Sequence, residues 1–129
     1  MKYWSKKWKS SKKPSKQRKY RYNAPLHIRR KFLSVNLSKE LRAKYKRRSV
    51  TICKGDKVKI MKGRFKKMVG TVERIDLRKG NVFVDVAKIE KADGTKTSYP
   101  LKPSNLMIVE LNLNDKLRKS KIESKITKV

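Results

Sequence analysis

A mainly β protein, built as one small closed barrel with a basic, extended-to-helical N-terminal extension and a short C-terminal helix, is the fold class that this sequence predicts. Three observations point there. From about residue 50 the chain breaks into short runs rich in Val and Ile, punctuated by turn residues at small intervals. Those five or six runs fit within about 60 residues, a size at which closing the sheet removes exposed strand edges. Upstream of them the composition changes: residues 1–48 hold 19 of the 39 basic residues against a single acid, Glu40, for a net +18. The remaining residues, 49–129, carry 20 basic and 9 acidic side chains, which completes the formal net charge of +29.

Residues 1–21 read as a disordered basic arm that orders on its partner. Within 1–19 there are nine Lys or Arg, no acid, and only Met1, Tyr3, Trp4 and Trp8 as apolar groups, too few to offset the ordering entropy of a packed segment. An acid-free, Ser-containing start also has the composition of a transit peptide, but Pro14 and the lack of a helical apolar stripe argue against an amphipathic targeting helix. No apolar run long enough for a secretory signal or a membrane span is expected anywhere.

Residues 22–49 read as a basic extension with short helices. In YNAPLHIRRKFLS, Asn23 is placed to cap a helix near Pro25, with Leu26, Ile28, Phe32 and Leu33 as scattered anchors. A firmer helix begins after Ser38, an N-cap residue type, with Glu40 in the first turn and Leu41 and Tyr45 at i and i+4. Its end carries Lys44, Lys46, Arg47 and Arg48, where cations complement the helix dipole.

Residues 50–111 form the barrel. Val58 and Ile60 alternate with Lys57 and Lys59; Val69, Thr71 and Val72 lead a second run with Ile75; Val82, Val84 and Val86 flank Phe83 and Asp85. Asp93 and Gly94 are read as the two-residue loop of a type I′ hairpin between IEKA and TKTS. Leu106–Leu111 is almost continuously apolar and therefore a central or closing strand. In the tail, 112–129, Asp115 stands at a capping position before a short basic helix running toward Lys125, with fraying in isolation as the open alternative.

No catalytic apparatus is visible. After Gly63 the chain reads RFKKMVG, which fails the phosphate-loop pattern, and no G-x-S-x-G elbow occurs. His27 is the one histidine, without a Ser or Cys neighbour to serve as its nucleophile. Cys53 is alone, so no internal disulfide can form, and one Cys with one His supplies no zinc set. No cofactor, metal or small-molecule substrate is implied, and a reducing, intracellular setting suits these counts.

The positive signal is KGDKVKIMKGRFKKMVGTV, residues 54–72. Gly55 and Asp56 suit a turn into a strand, Gly63 and Gly70 bound a hairpin tip, and Arg64, Lys66 and Lys67 crown it as a cationic knob. The spacing of Val58, Ile60, Gly63, Lys66, Gly70 and Val72 resembles the KOW motif of small SH3-like barrels in ribosomal proteins and transcription elongation factors. The motif often has Gly directly after the lysine; here Lys67 stands in that place.

A sharper resemblance covers residues 16–123. YNAPLHIRRKFLS (22–34), LSKELRAKY (37–45), KGDKVKIMKG (54–63) and DGTKTSYPLKPSNLMIVELNLNDKLRKSKIE (93–123) together resemble the large-subunit ribosomal protein 24 family in its archaeal and eukaryotic form, counted as protein 26 in eukaryotes. The segment before the barrel sets this branch apart from the bacterial one, and NLMIVELNLND favours the archaeal side. The resemblance implies an SH3-like KOW barrel in the cytoplasm, within the ribosome. It also implies binding to the 5′ region of large-subunit rRNA, a part in early subunit assembly, and a position near the exit of the nascent-chain tunnel among neighbouring ribosomal proteins.

On that reading Lys16, Arg18, Lys19, Arg21, Arg29, Arg30, Lys31, Arg47 and Arg48 bind phosphates, with the arginines able to do so bidentately. Tyr22, Asn23 and His27 face the same RNA, and Lys54, Lys57, Lys62, Arg64, Lys66 and Lys67 meet it from the barrel. For Trp4, Trp8, Tyr20 and Tyr22, stacking on unpaired bases and packing within the protein stay open alternatives. For the barrel lysines the alternative is a solvated face that discourages edge pairing. Two other functions stand as alternatives: a KOW-type elongation module would use the same barrel but would not need an arm of net +18, and an architectural DNA-binding protein would share the charge. A cationic membrane-active protein is disfavoured, because neither candidate helix has a broad apolar face.

Overall fold

The computed structural model describes residues 3–124; Met1 and the helix end expected at Lys125 lie outside the described residues. Eight strands and four α-helices follow one another along this span: α1 Pro14–Asn23, α2 Leu26–Phe32, β1 Ser34–Leu37, α3 Lys39–Tyr45, β2 Ser49–Thr51, β3 Lys57–Ile60, β4 Val69–Asp76, β5 Asn81–Val84, β6 Lys88–Glu90, β7 Lys96–Ser98, β8 Leu106–Glu110 and α4 Lys116–Glu123. Six strands form one sheet in the order β2-β1-β8-β3-β4-β5, and β6 pairs with β7 in a separate hairpin. The result is the small, barrel-like β fold expected from the sequence.

Alternation along the strands places the core as the sequence predicts. Val58, Ile60, Val72, Val82, Val84, Leu106 and Ile108 are all buried in one cluster, while Lys57, Thr71 and Glu73 face outward. β8, the almost continuously apolar run, is central, antiparallel to β3 with Val58 opposite Ile108. A register shift between Val72 and Arg74 bends β4, so its first half pairs with β3 and its second half with β5. On the outer side of β5, Phe83 is buried beneath the Arg74 guanidinium, 4.3 Å from the ring centroid.

The sheet reaches further upstream than a boundary at residue 50. β1 lies parallel to β8, with Leu37 opposite Ile108, and antiparallel to β2, with Val35 opposite Val50. Leu33, Val35 and Leu37 are thereby core residues. β1 leads directly into α3, whose first turn is capped as expected: Ser38 Oγ accepts from Leu41 N at 3.3 Å.

Two local expectations are corrected. Asn23 ends α1 instead of capping α2, whose cap position is Pro25. The 91–95 connection is not a two-residue type I′ loop: Lys91 N bonds Thr95 O, Gly94 N bonds Lys91 O, and only Gly94 has positive φ, at 82°. This is a type I turn closed by a left-handed glycine, the three-residue hairpin form. Asp93 favours it by accepting from both Thr95 N and Thr95 Oγ1, which holds its carboxyl below the usual range.

The arm also departs from expectation, because it is ordered into a 3₁₀ turn, Lys6–Ser10, and then α1. Among the described residues its few apolar side chains are aromatic and meet one another. Trp4 stacks on Tyr20 with centroids 5.4 Å apart and donates Nε1 to Tyr20 O at 3.0 Å. Tyr20 in turn packs edge-on against Phe32 of α2 at 5.9 Å. Gln17 Nε2 reaches the carbonyls of Trp8, Lys9 and Ser11, tying the turn to the helix. Pro14 fits at the first helical position, where its missing N–H costs nothing. For Trp4 and Tyr20 the structure therefore realises packing within the protein.

Candidate nucleic-acid interface

The hairpin tip between β3 and β4 projects its cations as expected: Lys62, Arg64, Lys66 and Lys67 are all exposed. Phe65, between them, is half-buried and anchors the tip through its ring, 5.5 Å from that of Tyr99. The backbone closes with Lys66 N bonding Gly63 O and Lys67 N bonding Ile60 O at 2.8 Å. Gly63 adopts φ 95° and Lys67 φ 75°, so Lys67 occupies a left-handed conformation usually given to glycine. The turn geometry is thus kept and a charge is gained.

At the base of the hairpin Gly70 is buried, and a Cβ there would stand 2.7 Å from Val86 Cγ2 and 2.8 Å from Val84 Cγ1. The Asp85 carboxylate also crosses this position, where Oδ1 accepts from Thr71 N at 2.9 Å and Val86 N at 2.7 Å. Gly70 is therefore required by close approach and not by backbone angle.

A second cationic surface lies on the helices of the extension. Arg18, Lys19, Arg21 and Tyr22 on α1, and His27, Arg30 and Lys31 on α2, are exposed, as are Arg48 and Lys54. Lys16 lies over the Trp8 ring at 4.6 Å, and Asn23 is half-buried. Three of the candidate cations have protein acceptors. Arg29 donates Nε to Ala24 O at 2.9 Å and its terminal nitrogen to Tyr22 O, gripping the C-terminal end of α1. Arg47 donates to Lys121 O on α4. Lys57 Nζ pairs with Glu110 at 3.1 Å, an exposed pair worth little.

Sequence reading missed three further cations. Between the extension and the β4–β5 turn runs an open groove of about 540 Å³ whose lining includes Arg21, Arg29, Arg78, Lys79 and Lys102 and no acidic side chain. Arg78 and Lys79 sit in a turn fixed by Asp76, whose Oδ1 accepts from Arg78 N at 2.9 Å and Lys79 N at 3.1 Å. The bond from Lys79 N is the main cause holding the Asp76 carboxyl below its usual range. The run RKG at 78–80 repeats the pairing of cations with a turn glycine that marks the tip, and that signal could have found Arg78 and Lys79. Nothing in sequence brings Lys102 to the same place.

The groups able to do chemistry are few. Among the described residues no cluster of His, Cys, Asp and Glu could hold a metal ion, and no helix is long and apolar enough to cross a membrane. What the surface offers is dense positive charge on a rigid support.

Comparison with known proteins agrees over nearly the whole chain. A family model that describes the eukaryotic ribosomal proteins L26 together with their archaeal counterparts, the proteins numbered 24, matches residues 11–125. The large ribosomal subunit protein uL24 of Methanospirillum hungatei is 48% identical over 112 residues, covering 87% of this chain and 93% of the relative. That of Methanoculleus marisnigri is 47% identical over 112 residues with the same coverage, and that of Methanosarcina barkeri 46% identical over 113 residues, covering 88% and 97%.

Proposed function

This chain belongs to the ribosomal protein family that joins the eukaryotic L26 proteins with the archaeal proteins numbered 24, and from that membership we propose that it binds the 5′ region of large-subunit rRNA through its extension and its hairpin tip. It is a structural constituent of the large ribosomal subunit and not an enzyme. The observation that carries the RNA reading is the exposure of a nearly acid-free cationic surface on α1, α2 and the β3–β4 tip, in a chain of net charge +29.

Neutralising phosphates releases condensed counterions, which is the physical use of so large a surplus. Because paired RNA hides its base edges in a deep, narrow groove, such a surface reads backbone and shape. The barrel serves as a rigid platform, and the extension, tethered to it through β1, reaches across RNA helices. Binding of this kind suits a part in early subunit assembly and a place beside the nascent-chain tunnel exit, among neighbouring ribosomal proteins.

The test is a sucrose gradient of native extract. The protein is expected to comigrate with large subunits in low salt and to leave them only at high salt. Sedimentation at the top of the gradient in low salt, or a preference of the pure protein for duplex DNA over structured rRNA at matched salt, overturns the proposal.

A further inference from the structure

Resting on the RNA-binding reading above, we propose that the groove between α1, α2 and the β4–β5 turn holds one unstacked nucleotide of the RNA, with its base against Phe32 and its flanking phosphates on Arg21, Arg78 and Lys79. The groove's volume of about 540 Å³ falls within the roughly 300–1,000 Å³ of small-ligand sites. Its chemistry is two-fold.

The floor is apolar and open to solvent: Phe32 is 41% exposed and Leu77 39% exposed, with Pro103 beside them. The rim is entirely cationic where it is charged at all. An apolar protein segment would leave those cations unpaired, whereas a nucleotide supplies both a flat π-face and anionic oxygens.

The floor and rim are also held in place. The Phe32 ring is braced edge-on by Tyr20 at 5.9 Å, and Tyr20 by Trp4. The cationic turn is fixed by Asp76, which accepts from both Arg78 N and Lys79 N. Lys102 braces the same turn from the segment before Pro103, its Nζ donating to Asn81 Oδ1 at 2.8 Å and Lys79 O at 3.3 Å. Arg29 is committed to the end of α1. Arg21, Arg78 and Lys79 remain exposed for phosphate. A ring braced before binding loses little entropy on stacking, so selectivity for an extruded base follows.

The experiment measures equilibrium affinity of the full chain, at matched salt, for three RNA hairpins: fully paired, carrying one bulged adenosine, and carrying an abasic site in the bulge. The bulged hairpin is expected to bind about tenfold tighter than the other two, within the range of single-base stacking. Leu77→Ser, at the exposed turn, and Phe32→Leu, which keeps an apolar contact with Tyr20 but removes the flat π-face, should each erase that preference while leaving affinity for the paired hairpin intact.

Equal affinity for all three hairpins overturns the groove proposal and leaves the RNA reading standing, as does a preference that survives in the abasic bulge or in both variants. Competition by free adenosine monophosphate at concentrations that spare the paired hairpin assigns the groove to a free nucleotide and overturns it too. Failure to bind any hairpin overturns both readings.

Discussion

Arg118 on α4 clasps Asp56 at the mouth of β3, with both terminal nitrogens 2.7 Å from the two carboxylate oxygens across 62 residues of sequence. The pair is buried, with side chains 8% and 0% exposed. Asp56 is fully satisfied, since Oδ2 also accepts from Cys53 N at 2.8 Å and Oδ1 from Asn112 N at 2.9 Å. Burial pulls the Arg118 pKa down, but its hydrogen bond and attraction to Asp56 outweigh that and raise it above the ordinary value. The C-terminal helix is thereby clamped to the barrel.

Removing one partner strands the other charge in a dry site, so Arg118→Met or Asp56→Ala should each destabilise by about 3–5 kcal/mol in urea unfolding. The double variant should lose clearly less than the sum of the two. A single-variant loss below about 1 kcal/mol would show the clasp to be incidental.

At Gly70 the cause is crowding. Gly70→Ala should cost about 1–3 kcal/mol by overpacking against Val84, Val86 and the hydrogen-bonded Asp85 carboxylate. The check is thermal unfolding, and an unchanged midpoint would mean that this corner can yield.

Lys67 gives the opposite sign. With φ at 75°, Lys67→Gly relieves a left-handed strain of about 1–2 kcal/mol, less the extra chain entropy glycine carries. The variant should unfold at higher denaturant yet bind RNA more weakly, since one cation leaves the tip. Gains in both properties would contradict this account.

The charge of the extension acts through salt. Replacing Arg18, Lys19, Arg30 and Lys31 together by Gln should flatten the plot of log affinity against log salt by about 3 units, at roughly 0.7–0.9 per phosphate contact. The barrel should remain folded. Cutting away residues 1–48 is a different experiment, because it removes β1 and three core residues and should unfold the sheet. Changing Arg64, Lys66 and Lys67 to Ala tests the tip by the same slope.

Acid should loosen the β4–β5 turn. The Asp76 carboxyl is lowered from 3.8, so its contribution is fully present above that value and is lost as pH falls through the lower folded one. Carboxyl titration by NMR should give a midpoint below 3.8, with amide exchange at Arg78 and Lys79 rising only on the acid side. A midpoint at or above the ordinary value would remove Asp76 from the turn.

The parts of this fold written in local pattern were legible. Val58 and Ile60 alternate with lysines, Leu106 and Ile108 lie in a dense apolar run, and Ser38 and Asp115 are capping types that do cap, Asp115 by accepting from Leu117 N at 2.9 Å. What stayed hidden depends on distant partners. SVNL is too short to announce a strand, and its parallel neighbour lies about 70 residues downstream. Asp56 and Arg118 look like any charges in a lysine-rich chain, and the arm's order comes from Trp4, Tyr20 and Phe32 meeting in space. The tip cations were plain from composition, while the groove needed the fold to assemble it.

The position of β8 between β1 and β3 carries a temporal consequence. During vectorial synthesis the first and third strands emerge early and wait, with open backbone edges, for residues 106–110 to be made. Non-local pairing of this kind is slow to nucleate. While it waits, the newborn chain already displays its most strongly charged half, so a polyanion can seize the leader before the sheet has closed.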